Sequence, residues 1–121
     1  MDFNAVAKEF VQYYYGVFER NRAELASLYR DPSMLTFEGN QFQGAGPIVQ
    51  KLTTLPFQTV AHKITTLDAQ PGPANALLVV VTGELLIDQE TNPTRFTQVF
   101  QLISEGNTYW VFNDVFRLNY G

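Results

Sequence analysis

Apolar positions recur at helical spacing through the start of the chain. Phe3, Val6, Ala7, Phe10, Val11, Tyr14, Val17 and Phe18 share one helix face, so residues 2–20 are predicted to form a long amphipathic helix. Asp2 is placed to cap it. Leu25, Leu28 and Tyr29 mark a second short helix over 22–29, stopped by Asp31-Pro32. A strand is predicted over 33–38. Pro47 fits the first turn of a third helix that reaches Leu52, with Ile48, Val49 and Leu52 inward. After residue 57 the period changes to two: Val60, His62 and Ile64 alternate with Thr59, Ala61 and Lys63 over 57–68. Gln70-Pro-Gly-Pro73 reads as a turn. Strands follow over 76–87, 96–103 and 109–118, the last two joined by the hairpin signal Ser104-Glu-Gly-Asn107. Helices first and a meander of long strands afterwards predict an α+β domain, with helices covering one face of an antiparallel sheet.

One strand breaks the expected alternation. Val79, Val81, Leu85 and Ile87 alternate with Leu78, Val80 and Leu86, so residues 76–87 are apolar on both faces. One face is expected to meet helices and the other a second chain, which predicts a homodimer packed sheet to sheet.

Composition narrows the function classes. A chain of 121 residues makes one domain, 1–121. Hydrophobic content of 45% and 16 Phe and Tyr residues provide a core, with apolar surface left for a dimer or cavity. A net charge of −4, a pI near 4.8 and no Lys/Arg cluster argue against nucleic acid and suit a basic protein partner. The absence of cysteine excludes disulfides and thiolate metal sites. The start Met1-Asp2-Phe3-Asn4 is unlike a signal peptide, and the longest apolar run, 76–81, is too short for membrane insertion. A soluble intracellular protein is expected.

Three segments carry a resemblance: Met34-Leu-Thr-Phe-Glu-Gly-Asn-Gln-Phe-Gln-Gly44, Leu55-Pro-Phe-Gln58 and Phe112-Asn-Asp-Val-Phe-Arg-Leu118. Together they resemble the nuclear transport factor 2 family, carriers that return the GDP-bound GTPase Ran to the nucleus. The resemblance implies a cone-shaped fold, in which a long N-terminal helix and two short helices pack on a curved, mainly antiparallel sheet. It also implies a non-enzymatic homodimer without cofactor, found in cytoplasm and nucleus and enriched at the nuclear pore. Phe37 stands where animal members carry tryptophan, so the resemblance is to a fungal-type member.

The same resemblance assigns site residues. Glu38, Asp88 and Glu90 are expected to ring an apolar pocket and pair with basic residues of Ran-GDP, with Phe37, Leu55 and Phe57 as its wall. Read alone, the three acids are solvated strand-end charges. Close pairs at a desolvated interface couple by roughly 1.5–7 kcal/mol, against about 0–1 for exposed pairs, so their role depends on coverage by a partner. Phe3 and Asn75 match positions that bind Phe-x-Phe-Gly repeats of nucleoporins. Read alone, Phe3 is a staple onto the core.

Two other readings stand beside the carrier. The cone-shaped fold also hosts ketosteroid isomerases, so Asp68 or Asp114 with one of Tyr13, Tyr14 and Tyr15 makes an isomerase- or dehydratase-type enzyme the alternative. Neighbours on a helix point about 100° apart, so only one or two of those tyrosines face the sheet. Such an enzyme needs a carboxylate deep in the pocket, whereas the carrier needs carboxylates at its rim. The other reading is an interaction domain like those of messenger-RNA export factors. His62, the single histidine, lacks companion ligands for a metal and is expected to be hydrogen-bonded on the sheet.

Overall fold

The computed structural model describes residues 2–120; Met1 and Gly121, the ends of the expected domain, lie outside the described residues. Helix α1 (Phe3–Arg20) begins at Asp2, whose Oδ1 accepts the Ala5 N–H at 3.2 Å. It buries Ala7, Val11, Tyr14, Tyr15 and Val17 against the sheet, with Phe3, Val6, Phe10 and Phe18 half-buried beside them. Tyr13 is 56% exposed, so two of the three consecutive tyrosines face inward.

The second helical segment is a 3-10 helix (Arg22–Leu28), capped by Asn21 and anchored by buried Leu25. The first strand starts earlier than the sequence predicts: β1 spans Tyr29–Phe37 and runs through Asp31-Pro32. A break in pairing between Tyr29 and Met34 accommodates Pro32, which has no N–H to donate. Ser33 bridges the break, with its hydroxyl accepting from Arg30 N at 2.9 Å and donating to the Val111 carbonyl.

A strand that the sequence reading lacks, β2 (Asn40–Gln43), follows after only two residues. Those residues, Glu38 and Gly39, have φ of 51° and 87°. Positive φ at both central positions makes a two-residue turn whose twist matches its strands. Helix α2 (Ala45–Thr53) then buries Ile48 and Leu52.

Four twelve-residue strands complete the sheet: β3 (Val60–Pro71), β4 (Ala76–Ile87), β5 (Thr94–Glu105) and β6 (Thr108–Asn119). The β3 strand starts and ends three residues later than expected, because Leu55–Thr59 stay in the loop and Pro71 still pairs with Leu77. The sheet order is β2-β1-β6-β5-β4-β3, antiparallel except for the β1–β6 pair. A bulge between Ile64 and Thr66 lies opposite Gly83, where a Cβ would stand 2.2 Å from the Lys63 carbonyl oxygen. Only glycine allows that approach, and a bulge of this kind bends its strand and increases the local twist.

Helix α1 lies along β3. Asn4 accepts the Ala69 N–H near the far end of β3, and Glu19 accepts the His62 N–H near its start. The C-terminal end of α1 therefore faces the ends of β1, β4 and β6, and its N-terminal end faces the turn between β3 and β4.

Candidate functional site

Between α1, α2 and the concave face of the sheet lies a cavity of about 230 Å³. Phe18, Phe37, Leu55, Phe57, Ile87, Phe116 and Leu118 are among its walls, and Tyr14, Gln98 and Asp114 stand at its floor. Phe37 stacks on Phe116 at 4.8 Å, so the wall is itself packed. The three apolar residues expected there, Phe37, Leu55 and Phe57, all line it.

None of the three expected acids lines this cavity, but Glu38 and Asp88 adjoin wall residues Phe37 and Ile87 in sequence. Glu38, in the β1–β2 turn, accepts the backbone N–H of wall residue Leu118 through Oε1 at 2.5 Å. Asp88, just after β4, accepts the N–H groups of Gln58 and Thr59 through Oδ1 at 2.9 and 3.0 Å. These bonds to Thr59 and Gln58 hold its carboxyl below the usual carboxylate range. Each acid thus uses one oxygen to fix itself on the backbone, while the other has no partner among the described residues. Both residues have φ of 51°, a left-handed conformation that costs a non-glycine residue on the order of 1 kcal/mol or more. Glu90 is exposed two residues beyond Asp88 and does not line the cavity.

Cations also flank the mouth, which the local sequence around Glu38 does not reveal. Lys51 Nζ stands 5.5 Å from the Phe37 ring centre and 5.8 Å from that of Phe42. Arg22 lies over Phe18 and Phe57 and donates to the Phe57 carbonyl at 3.0 Å. Its Nη1 is buried without a hydrogen-bond partner among the described residues.

The floor is a closed polar network. Asp114 is buried on β6; Oδ2 accepts from the Tyr29 hydroxyl at 2.7 Å and Oδ1 from Gln98 Nε2 at 2.8 Å. Tyr14 meets Tyr29 hydroxyl to hydroxyl at 2.5 Å, and Tyr15 donates to Gln98 Oε1 at 2.8 Å. Burial pushes Asp114 up to about 6, despite the bonds from Gln98 and Tyr29 that favour its charged form. Burial and the Asp114 charge raise Tyr14, Tyr15 and Tyr29, so all three stay protonated. Asp68, the other carboxylate weighed for catalysis, is exposed on β3 away from the cavity.

His62 lines the cavity beside this network. Its ring stacks on Tyr15 at 4.0 Å, and its Nδ1 lies 2.9 Å from Glu19 Oε2. Burial lowers the imidazole more than Glu19 raises it. Partial burial raises Glu19, but its bonds from His62 bring it below the usual value.

Phe3 and Asn75 lie at the other end of the molecule. Phe3 opens α1, half-buried against the core, and Asn75 is exposed in the short 3-10 turn (Pro73–Asn75) between β3 and β4, at φ of 64°. Among the described residues, no group of three or more His, Cys, Asp or Glu is arranged to hold a metal. Among the described residues, no helix is long and apolar enough to cross a membrane.

The nuclear transport factor 2 (NTF2) domain family matches residues 6–118. The chain belongs to this family. Nuclear transport factor 2 of Candida glabrata is 63% identical over 99% of this chain and 97% of that protein. The solved nuclear transport factor 2 of Cryptosporidium parvum is 48% identical, with a TM-score of 0.91 over 97% of this chain and 94% of that one. A putative dehydratase from Streptomyces avermitilis, 12% identical, superposes with a TM-score of 0.78 over 89% of each chain. That likeness extends to the fold alone.

Proposed function

We propose that this nuclear transport factor 2 family member is a non-enzymatic carrier that imports Ran in its GDP-bound form. The observation that carries the reading is the pair Glu38 and Asp88. They flank an apolar cavity, each anchored through one oxygen and free at the other. A guest that inserts an aromatic side chain and brings Lys or Arg beside it would meet both needs at once. Docking removes water from the rim, which raises the worth of each charge pair. Glu90 extends the negative edge. Preference for GDP follows if the guest segment is one that rearranges in the GTP form.

Phe3 and Asn75 are proposed to take Phe-Gly nucleoporin repeats at the opposite end. Strands of twelve residues separate the two ends by roughly 40 Å, so both partners can be held together. Such binding suits a protein that moves between cytoplasm and nucleus through the pore. The carrier is proposed to work as a homodimer through the sheet face turned away from α1. There Leu78 and Val115 are each 41% exposed, on strands that also present Val80 and Val99.

The enzyme alternative asks for a deep carboxylate beside a tyrosine, and Asp114 with Tyr29 meets that geometry. Both Asp114 oxygens are already taken by Tyr29 and Gln98, which favours a structural role.

Calorimetric titration with Ran loaded with GDP, then with GTP, tests the proposal. Tight binding is expected for the GDP form only, abolished by Glu38→Lys with the dimer intact by sedimentation. Unchanged affinity in Glu38→Lys would remove that residue from the site, and no binding by the wild type would end the proposal.

A further inference from the structure

Among the polar side chains that line the cavity, one ring nitrogen has no hydrogen-bond partner among the described residues. Asp114 and Gln98 are partnered at both ends, and the Tyr14 hydroxyl is buried against Tyr29. His62 differs. Glu19, held below its usual value, is ionised at neutral pH and can only accept, so the proton between the two sits on Nδ1. The neutral ring then carries an acceptor lone pair on Nε2. That atom has no hydrogen-bond partner among the described residues, yet it is not among their buried unpaired atoms. The His62 side chain is only 3% exposed and lines the cavity, so the cavity is where Nε2 is reached.

We propose that this cavity binds a small phenol-class ligand, an aromatic ring whose single hydroxyl donates to His62 Nε2. Size and wall chemistry specify the ring. A dry cavity of about 150 Å³ lined by Leu, Ile and Phe takes up benzene. This one is larger, at about 230 Å³, with Phe37 and Phe57 among its walls. Phe18, Phe37, Phe57 and Phe116 offer ring faces and edges to an aromatic guest. Charge specifies the substituent. The floor holds a carboxyl and no cation, which disfavours benzoate-type acids, and Nε2 calls for a neutral donor.

Tyr15 and Glu19 are the positioning residues. Stacking at an interplanar angle of 6° fixes the imidazole plane, and the Glu19 contact fixes both its rotation and its tautomer. A hydroxyl entering an apolar cavity loses its water, and an unmatched one is rejected. The acceptor therefore decides whether phenols enter at all, whereas hydrocarbon rings enter by apolar contact alone. Ligand entry stands independently of the proposed carrier function. Only its consequence, that a free phenol and the aromatic side chain of a docked guest exclude each other, rests on that reading.

Amide NMR titrations of the full chain with phenol, anisole and toluene, without any GTPase, test the inference. Phenol and toluene are expected to shift amides of Leu85, Ile87 and Phe116. Anisole keeps the ring and oxygen but has no proton to give, and it should bind more weakly than phenol. His62→Leu should weaken phenol by tenfold or more while toluene changes by less than threefold. Three results would overturn the inference: phenol leaving the cavity amides unmoved, anisole matching phenol, or His62→Leu weakening phenol and toluene alike. The first two need no variant, so a misfolded His62→Leu still leaves a decision.

Discussion

Arg22 and Phe57 are joined twice. The guanidinium donates to the Phe57 carbonyl at 3.0 Å, and its carbon stands 4.8 Å from the centre of the Phe57 ring. Asp88 grips the next two residues through the Gln58 and Thr59 N–H groups. The loop that carries the cavity wall is thus held between a cation and an anion. Neither contact is local in sequence, and neither would be needed by a merely solvated loop.

Replacing Arg22 separates loop order from global stability. Arg22→Leu loses a charge-assisted bond but also removes the unpaired Nη1, so unfolding free energy should fall by only about 1 kcal/mol. Amide exchange at Phe57 and Gln58 should accelerate much more than the core does. Arg22→Lys keeps the charge without the planar fork and should restore only part of the protection. Equal acceleration across the whole chain would show that Arg22 merely stabilises the fold.

Charge and anchoring can be separated at Asp88. Asn keeps an oxygen for the Gln58 and Thr59 N–H groups and tolerates the left-handed backbone at φ of 51°. Asp88→Asn should therefore change the unfolding free energy by no more than a surface substitution does, about 0.5 kcal/mol. If Asp88 pairs with a partner cation as proposed, the same variant should weaken Ran-GDP by tenfold or more in a calorimetric titration. Asp88→Ala should lose both properties. An unchanged Asp88→Asn affinity would leave the residue as a loop clamp alone.

The helices and long strands were legible because each rests on a strong local signal: the 3.6-residue stripe of α1, the continuous apolar run of β4, and the hairpin signal that joins β5 to β6. The short β2 was not legible, since Glu38-Gly39 is not a familiar hairpin pair and four residues show no period. Its turn is stabilised from outside, by Leu118 on β6 donating to Glu38. The wall residues Phe37, Leu55 and Phe57 could be read from family-like segments. Arg22, Lys51, Glu19 and Gln98 could not, because their roles arise from contacts between distant segments. Asp114 was visible as a candidate deep carboxylate, but its saturation by Tyr29 and Gln98 was not.

Gly83 tests whether the bend of the sheet makes the cavity. A methyl group there would lie 2.2 Å from the Lys63 carbonyl and 3.0 Å from Phe96 Cε1, a clash that backbone and a packed ring cannot yield to cheaply. Gly83→Ala should cost about 3 kcal/mol or more by urea unfolding, as an overpacked site does. Surviving folded protein should lose aromatic ligand binding, because β3 must move away from β4. A loss below about 1 kcal/mol would mean that the bulge relaxes freely and does not set the curvature.

The pH dependence of stability isolates Asp114. Its folded value of about 6 lies above the ordinary 3.8, so between these values the folded state binds more protons than the unfolded chain. Stability contributed by this group therefore rises as pH falls from 6 toward 4, by up to about 3 kcal/mol for a shift of roughly two units. His62 and Glu19 act in the opposite direction. Both are lowered in the fold, so what they contribute is lost as pH falls through their folded values. The net curve mixes these effects, and the difference between wild type and Asp114→Asn separates them. Asn can donate to the Tyr29 oxygen if that hydroxyl turns toward Tyr14, so the variant should fold. Urea unfolding from pH 7 to 4 should show the wild type gaining about 2–3 kcal/mol on the variant. Parallel curves would mean that Asp114 keeps an ordinary value, and that water or a rearranged floor solvates it.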